Sequence, residues 1–156
     1  MKTVKEFMNK NVICLNPDDT IFDAAKILSQ LNIAGAPVVE KDKIIGIISI
    51  SDIIKFIDIK LGKLPKIAPP GLSTLLLVLL QMQKVHSDFK KELKKIAAIK
   101  IKDVMSKNVI TVSSTSTIIE VAELMEKHDV NRLPVVDDGK IIGIVARADI
   151  IKSLIY

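Results

Sequence analysis

The sequence has no tryptophan, one tyrosine, one cysteine and two histidines. Each scarcity excludes something. Cys14 has no second thiol to pair with, so no internal disulfide holds the chain. With His86 and His128 as the only imidazoles, no zinc-ligand spacing exists either. Aromatics make up 3% of residues, so the 49% that are hydrophobic must build an aliphatic core of Ile, Leu and Val. Cys14, in a strand-like stretch, reads as a small core residue rather than a nucleophile. Long apolar runs are also missing. Residues 1–6 lack the apolar run of a signal peptide. The most apolar stretch, Leu72 to Met82, is about half of the roughly 20 residues that cross a bilayer. The reading is a soluble, cytoplasmic protein with no transmembrane segment. At 156 residues it fits one domain, or two small repeats sharing a core.

Catalytic devices are equally scarce. There are no paired carboxylates in an acid/base arrangement, no His poised as the base of a Ser nucleophile and no Gly-rich phosphate loop. The chain therefore reads as a non-enzyme, with no catalytic residue, no metal and no required cofactor. Its net charge of +5 is localised. Residues 58–100 carry nine Lys against Asp58, Asp88 and Glu92, and the rest of the chain is nearly neutral.

What is present is a repeat. Residues 4–57 align without a gap on residues 101–154 at an offset of 97, with 21 of 54 positions identical. Pro37-Val38-Val39 matches Pro134-Val135-Val136, and Lys43-Ile44-Ile45-Gly46-Ile47 matches Lys140-Ile141-Ile142-Gly143-Ile144. Each copy reads β-α-β-β-α. Val12–Leu15 is a short strand, and Thr20-x-x-Asp23 and Thr117-x-x-Glu120 are capping boxes. The helices they open carry Ile21, Ala24, Ala25, Leu28 and Leu31, or Ile118, Val121, Ala122 and Met125, on one face. A hairpin follows, turning at Lys41-Asp42 or Asp137-Asp138-Gly139. A terminal helix begins at Asp52 or Asp149. The domains are 1–57 for repeat one, 58–100 for a basic linker with a long helix over about 72–98, and 101–156 for repeat two. Leu77, Val78 and Leu80 make the start of that helix apolar nearly all round, which predicts a second buried side, met by another subunit in a homodimer, with burial in its own module or membrane attachment as the alternatives.

The strand ends suit a nucleotide. An ionised carboxylate at Asp52 or Asp149 can accept both ribose hydroxyls, and Ser49 and Ser51 can donate to phosphate at a helix N-terminus. The competing reading is that both Asp residues only cap helices, worth about 1 kcal/mol each.

These units resemble CBS domains, the repeats named after cystathionine β-synthase that pair as Bateman modules. Gly46-Ile47-Ile48-Ser49-Ile50-Ser51-Asp52 fits that family's Gly-h-h-Ser/Thr-x-x-Asp signature, h being apolar, and Pro-Val-Val fits its strand. The resemblance covers both repeats but not the middle segment. It implies an α/β fold of two tandem repeats packed as a pseudo-two-fold pair, with ligand clefts shared between repeats. Carried over, site 1 comprises Ile47, Ser49, Ser51 and Asp52 with Thr117, Ala122, Val130, Asn131 and Arg132. The backbone before Pro-Val-Val would hold the adenine, and Arg132 would be the main phosphate contact. Site 2 joins Ile144, Ala146, Arg147 and Asp149 to Thr20, Ala25, Ile33 and Ala34. Here the pattern departs. Ala146 and Ala148 offer no hydroxyl, and Gly35 stands where Arg132 does. Arg147 compensates only if its side chain turns into the cleft. Site 1 is expected to be the better nucleotide site.

The implied role is a regulatory module that binds AMP, ADP, ATP or S-adenosylmethionine and signals to a regulated protein. Two rivals stand beside it. One is nucleic-acid binding through Lys90, Lys91, Lys94 and Lys95, which at helical spacing form one basic face, although few aromatics are available for stacking. The other is a structural adaptor with empty clefts.

Overall fold

The structure, a computed structural model, describes residues 1–61 and 87–156, with backbone alone at 61 and 87–90. Its elements are α1 (Val4–Phe7), α2 (Ile21–Gln30), β1 (Gly35–Glu40), β2 (Lys43–Ser49), α3 (Ile50–Leu61), α4 (Ser87–Ala97), a 3-10 turn (Ile101–Asp103), α5 (Ile118–His128), β3 (Arg132–Asp137), β4 (Lys140–Ala146) and α6 (Arg147–Ile155). β1 pairs with β2 and β3 with β4, making two separate two-stranded sheets. The chain falls into two compact units. One holds Met1–Cys14, Val39–Ile45 and Asn108–Tyr156, the other Leu15–Val38 and Gly46–Lys107.

Within each unit the helix opened by a capping box, α2 or α5, starts where the sequence predicts. Thr20 Oγ1 accepts from the Asp23 amide at 3.1 Å, and Asp23 Oδ2 accepts from the Thr20 amide at 3.1 Å. The same exchange recurs between Thr117 and Glu120 at 3.3 and 2.7 Å. Each box satisfies two donors that would otherwise be stranded at a helix start. From there the apolar stripe turns inward. Ile21, Ala24, Ala25 and Leu28 are buried on α2, and Ile118, Val121 and Met125 on α5. Leu31 and Ala122, expected on the same stripes, are exposed. Leu31 follows the last turn as the C-cap, and Ala122 lies beside the buried arc rather than within it. In the first unit Val4, Val112, Leu133, Val135, Val145 and Ile150 complete a single aliphatic core with α5.

Three expectations are corrected. Val12–Leu15 is not a strand: only Leu15 pairs, as one parallel bridge to Val38, and Val112 does the same with Val135. Cys14 is exposed, not core. Successive residues of an extended segment face opposite sides, and Leu15 takes the inward place. What burial the thiol retains raises its pKa. The terminal helices begin at Ile50 and Arg147, two residues before the expected Asp.

In the middle segment, the helix expected over 72–98 is described only from Ser87. Leu77, Val78, Leu80 and His86 lie outside the described residues. Leu93 and Ile96 of α4 are buried, while Lys91, Lys94 and Lys95 are exposed, so these three lysines are solvated as their spacing predicts. Among the described residues no helix is long and apolar enough to cross a membrane.

Both hairpins close through two residues with positive φ: Lys41 and Asp42 at 49° and 65°, and Asp138 and Gly139 at 50° and 76°. Turns of that hand match strand twist and favour Asn-Gly. Lys41 occupies a conformation costly to a side chain without a local acceptor. Replacing Lys41-Asp42 by Asn-Gly is therefore expected to stabilise the protein by about 0.5–1 kcal/mol, with Gly entropy offsetting part of the relief. A rise in melting temperature of about 1–4 °C would register it.

Candidate functional site

The signature stretch of repeat one runs off β2 into α3, and its polar atoms are locked together. Ser49 is the residue before the helix and Asp52 its third residue. Asp52 Oδ2 accepts from the Ser49 amide and from Ser49 Oγ, both at 2.9 Å, while Ser49 Oγ accepts from the Asp52 amide at 3.1 Å. Asp52 is thus the far member of a capping box, not the N-cap that its place after Ser51 suggests. Both bonds to the carboxylate use the same oxygen. Asp52 Oδ1 accepts no hydrogen bond among the described residues, so a half-buried carboxylate is held rigid with one oxygen to spare. Ser51, in the first turn of α3, is exposed.

The second repeat keeps the frame and loses the hydroxyl. The Ala146 amide donates to Asp149 Oδ2 at 2.8 Å, and no side chain returns a bond to the helix. Asp149 borders an open cleft of about 480 Å³ with Lys2, Glu6, Phe7, Lys152, Ser153 and Tyr156. None of those six was singled out in the sequence, and none of Ile144, Ala146 or Arg147 lines it. The Arg147 side chain turns toward the end of α5. Its Nε donates to Val130 O and its Nη2 to Met125 O, each at 3.4 Å, so the guanidinium rests on the end of α5.

Ile47 and Ile144 are placed by short segments that sequence reasoning missed. Ile47 exchanges backbone bonds with Ser106 at 2.9 and 2.8 Å, and Ile144 with Asn9 at 2.9 Å both ways. The adjoining methionines lie against the signature glycines. A Cβ on Gly46 would collide with the Met105 side chain and stand 3.0 Å from Ser106 O. One on Gly143 would stand 2.6 Å from Met8 Sδ and 3.2 Å from Asn9 O. The available signal was the recurrence of Met8 at Met105, one offset apart.

The remaining candidates sit at the helix starts and the helix-to-strand turns. Thr20 and Thr117 cap α2 and α5. Ala25 is buried, whereas Ala122 is exposed. Ile33 and Val130 are half-buried, and Ala34 and Asn131 are exposed. The carbonyls of Ala34 and Asn131 accept from the Ile50 and Arg147 amides at 2.9 and 3.1 Å. Arg132 opens β3, half-buried, and its side chain makes no hydrogen bond or ion pair among the described residues. An uncommitted guanidinium beside a peptide edge is chemically suited to phosphate.

Comparison with known proteins decides the family. The CBS domain family matches residues 4–59 and 101–156. The chain belongs to it. This CBS pair is 40% identical over 154 residues to the uncharacterized protein MJ1426 of Methanocaldococcus jannaschii, covering 97% of this chain and 90% of that one. Among solved structures, the CBS domain pair of protein MJ0100 in complex with 5-methylthioadenosine and S-adenosyl-L-methionine is similar at a TM-score of 0.66 and 26% identity, covering 99% of this chain and 96% of that one. CBSX2 in complex with AMP shares the fold at a TM-score of 0.68 and 23% identity, covering 99% and 97%. Related CBS pairs thus hold adenosine-containing molecules.

Proposed function

We propose that this CBS pair is a regulatory module that binds an adenosine-containing ligand and passes its state to a partner protein. The observation that carries the reading is the Ser49–Asp52 pair. A carboxylate fixed through Oδ2 by two donors at 2.9 Å, with Oδ1 open, is pre-organised to accept from a ribose. The Arg132 guanidinium, without a hydrogen-bond or ion-pair partner among the described residues, supplies the charge for phosphate. In this reading Ile47, Ser49, Ser51 and Asp52 act with Thr117, Ala122, Val130, Asn131 and Arg132. The second set is Thr20, Ala25, Ile33, Ala34, Ile144, Ala146, Arg147 and Asp149, the weaker of the two because Ala146 fixes its carboxylate with one donor instead of two. A regulatory effect then requires the ligand to bind two states of the module unequally.

Thermal unfolding tests this with AMP, ADP, ATP or S-adenosylmethionine, in wild type, Asp52→Asn and Asp149→Asn. Ligand at about 100 times its Kd adds roughly 2.7 kcal/mol, a rise of about 5–10 °C in a chain of this size. The rise is expected to vanish in Asp52→Asn and to survive in Asp149→Asn. No rise with any of the four compounds in wild type would overturn the proposal.

A further inference from the structure

The turn between α5 and β3 is built against resistance. Asp129 sits in the left-handed region, at φ 50° and ψ 48°, which an L-residue enters at a cost of roughly 1 kcal/mol or more. The Val130 amide bonds back to Met125 O at 3.0 Å and closes α5. Arg147, the first residue of α6, then adds three donors to the same turn. Its amide donates to Asn131 O at 3.1 Å, its Nε to Val130 O at 3.4 Å and its Nη2 to Met125 O at 3.4 Å. Among the described residues, the first residue of α3 gives the matching turn of repeat one the backbone bond alone, Ile50 N–H to Ala34 O at 2.9 Å, because isoleucine has no side-chain donor. A planar cation over the last carbonyls of a helix is favoured by its fork geometry and by the helix dipole.

We infer that Arg147 is a positioning residue for the edge Val130-Asn131-Arg132, and not a phosphate ligand of its own repeat. The inference rests on the adenosine reading of that edge. Arg132 is the ladder partner of Ala146, the residue immediately before Arg147, so clamp and edge share one end of the hairpin. The guanidinium ties the carbonyl of Val130 to that of Met125, and thereby fixes the backbone expected to hold adenine. Its loss weakens the base-recognising side of the edge, so it acts on phosphorylated and unphosphorylated ligands alike.

The test uses the full chain with Arg147→Ala and Arg147→Lys. In the unliganded protein, hydrogen exchange of the Val130 and Arg147 amides is expected to quicken about tenfold in Arg147→Ala, while amides in the middle of α5 hold their rates. In titrations, affinities for AMP and for adenosine are expected to fall together, by about three- to tenfold. Arg147→Lys is expected to resemble the alanine variant, because one ammonium cannot span both carbonyls. A fall for AMP with adenosine unchanged would mean that Arg147 meets phosphate, and overturns the inference. So does unchanged exchange at Val130. If the wild type binds neither compound, the adenosine reading of the edge fails, and with it the positioning role.

Discussion

Gly143→Val is expected to lower the melting temperature by about 2–12 °C. The argument is one of space. The glycine lies on β4 facing the N-terminal turn, where a Cβ would stand 2.6 Å from Met8 Sδ and 3.2 Å from the backbone oxygen of Asn9. The methionine can swing away; the carbonyl cannot, because Asn9 is tied to Ile144 by two bonds of 2.9 Å. Either those bonds lengthen or β4 shifts, and Val145, fully buried one residue on, moves with it. Overpacking of this kind costs about 1–3 kcal/mol, and a chain of this length loses about 2–4 °C per kcal/mol. Adding Met8→Ala to Gly143→Val should recover part of the loss, since it removes the nearer of the two obstacles. A Gly143→Val protein that melts with the wild type would show that the N-terminal turn does not lie on β4 in solution. Gly46→Val should behave in the same way against Met105 and Ser106.

That contact marks the boundary of what the sequence discloses. The features legible in advance are local. Thr20 with Asp23 and Thr117 with Glu120 meet across three residues, and their spacing alone identifies the boxes. The hairpins follow from turn chemistry and apolar runs, and the offset of 97 makes each reading a check on the other. The features that were not legible depend on distant partners. Nothing in the run from Thr3 to Asn9 names residues 114–117 and 144 as the places where it bonds. The short expected strand around Leu15 shrinks to one bridged residue because its pairing with Val38 is set by tertiary packing. Ser49-x-x-Asp52 has the same box spacing as the threonines, but the isoleucine run before it reads as uninterrupted strand. That hides Ser49 as the N-cap and throws the role onto Ser51-Asp52. For the candidate site, residue types were foreseeable and commitments were not. Arg132 and Arg147 look equivalent as cations in the sequence, yet one has no partner among the described residues and the other is spent on two carbonyls.

The difference between those two arginines gives the second large effect. On the adenosine-ligand reading, Arg132→Gln is expected to lower AMP affinity about 10- to 100-fold and leave adenosine affinity unchanged. A hydrogen bond to a charged group is worth about 1.5–3 kcal/mol, and each 1.4 kcal/mol is tenfold in affinity. Glutamine keeps much of the side-chain bulk and loses both the charge and the fork that grips two phosphate oxygens. Because the Arg132 side chain pairs with nothing among the described residues, its replacement strands no acceptor, and stability should stay within about 0.5 kcal/mol of wild type. Titration calorimetry of AMP and adenosine against both proteins decides the matter, and unliganded melting serves as the control for folding. Added salt should weaken AMP binding to wild type more than to Arg132→Gln, since the variant has lost the charge that salt screens. Equal losses for AMP and adenosine would place Arg132 on the base or ribose side of the ligand. An unchanged AMP affinity would remove it from the site and leave phosphate recognition to other cations of the chain.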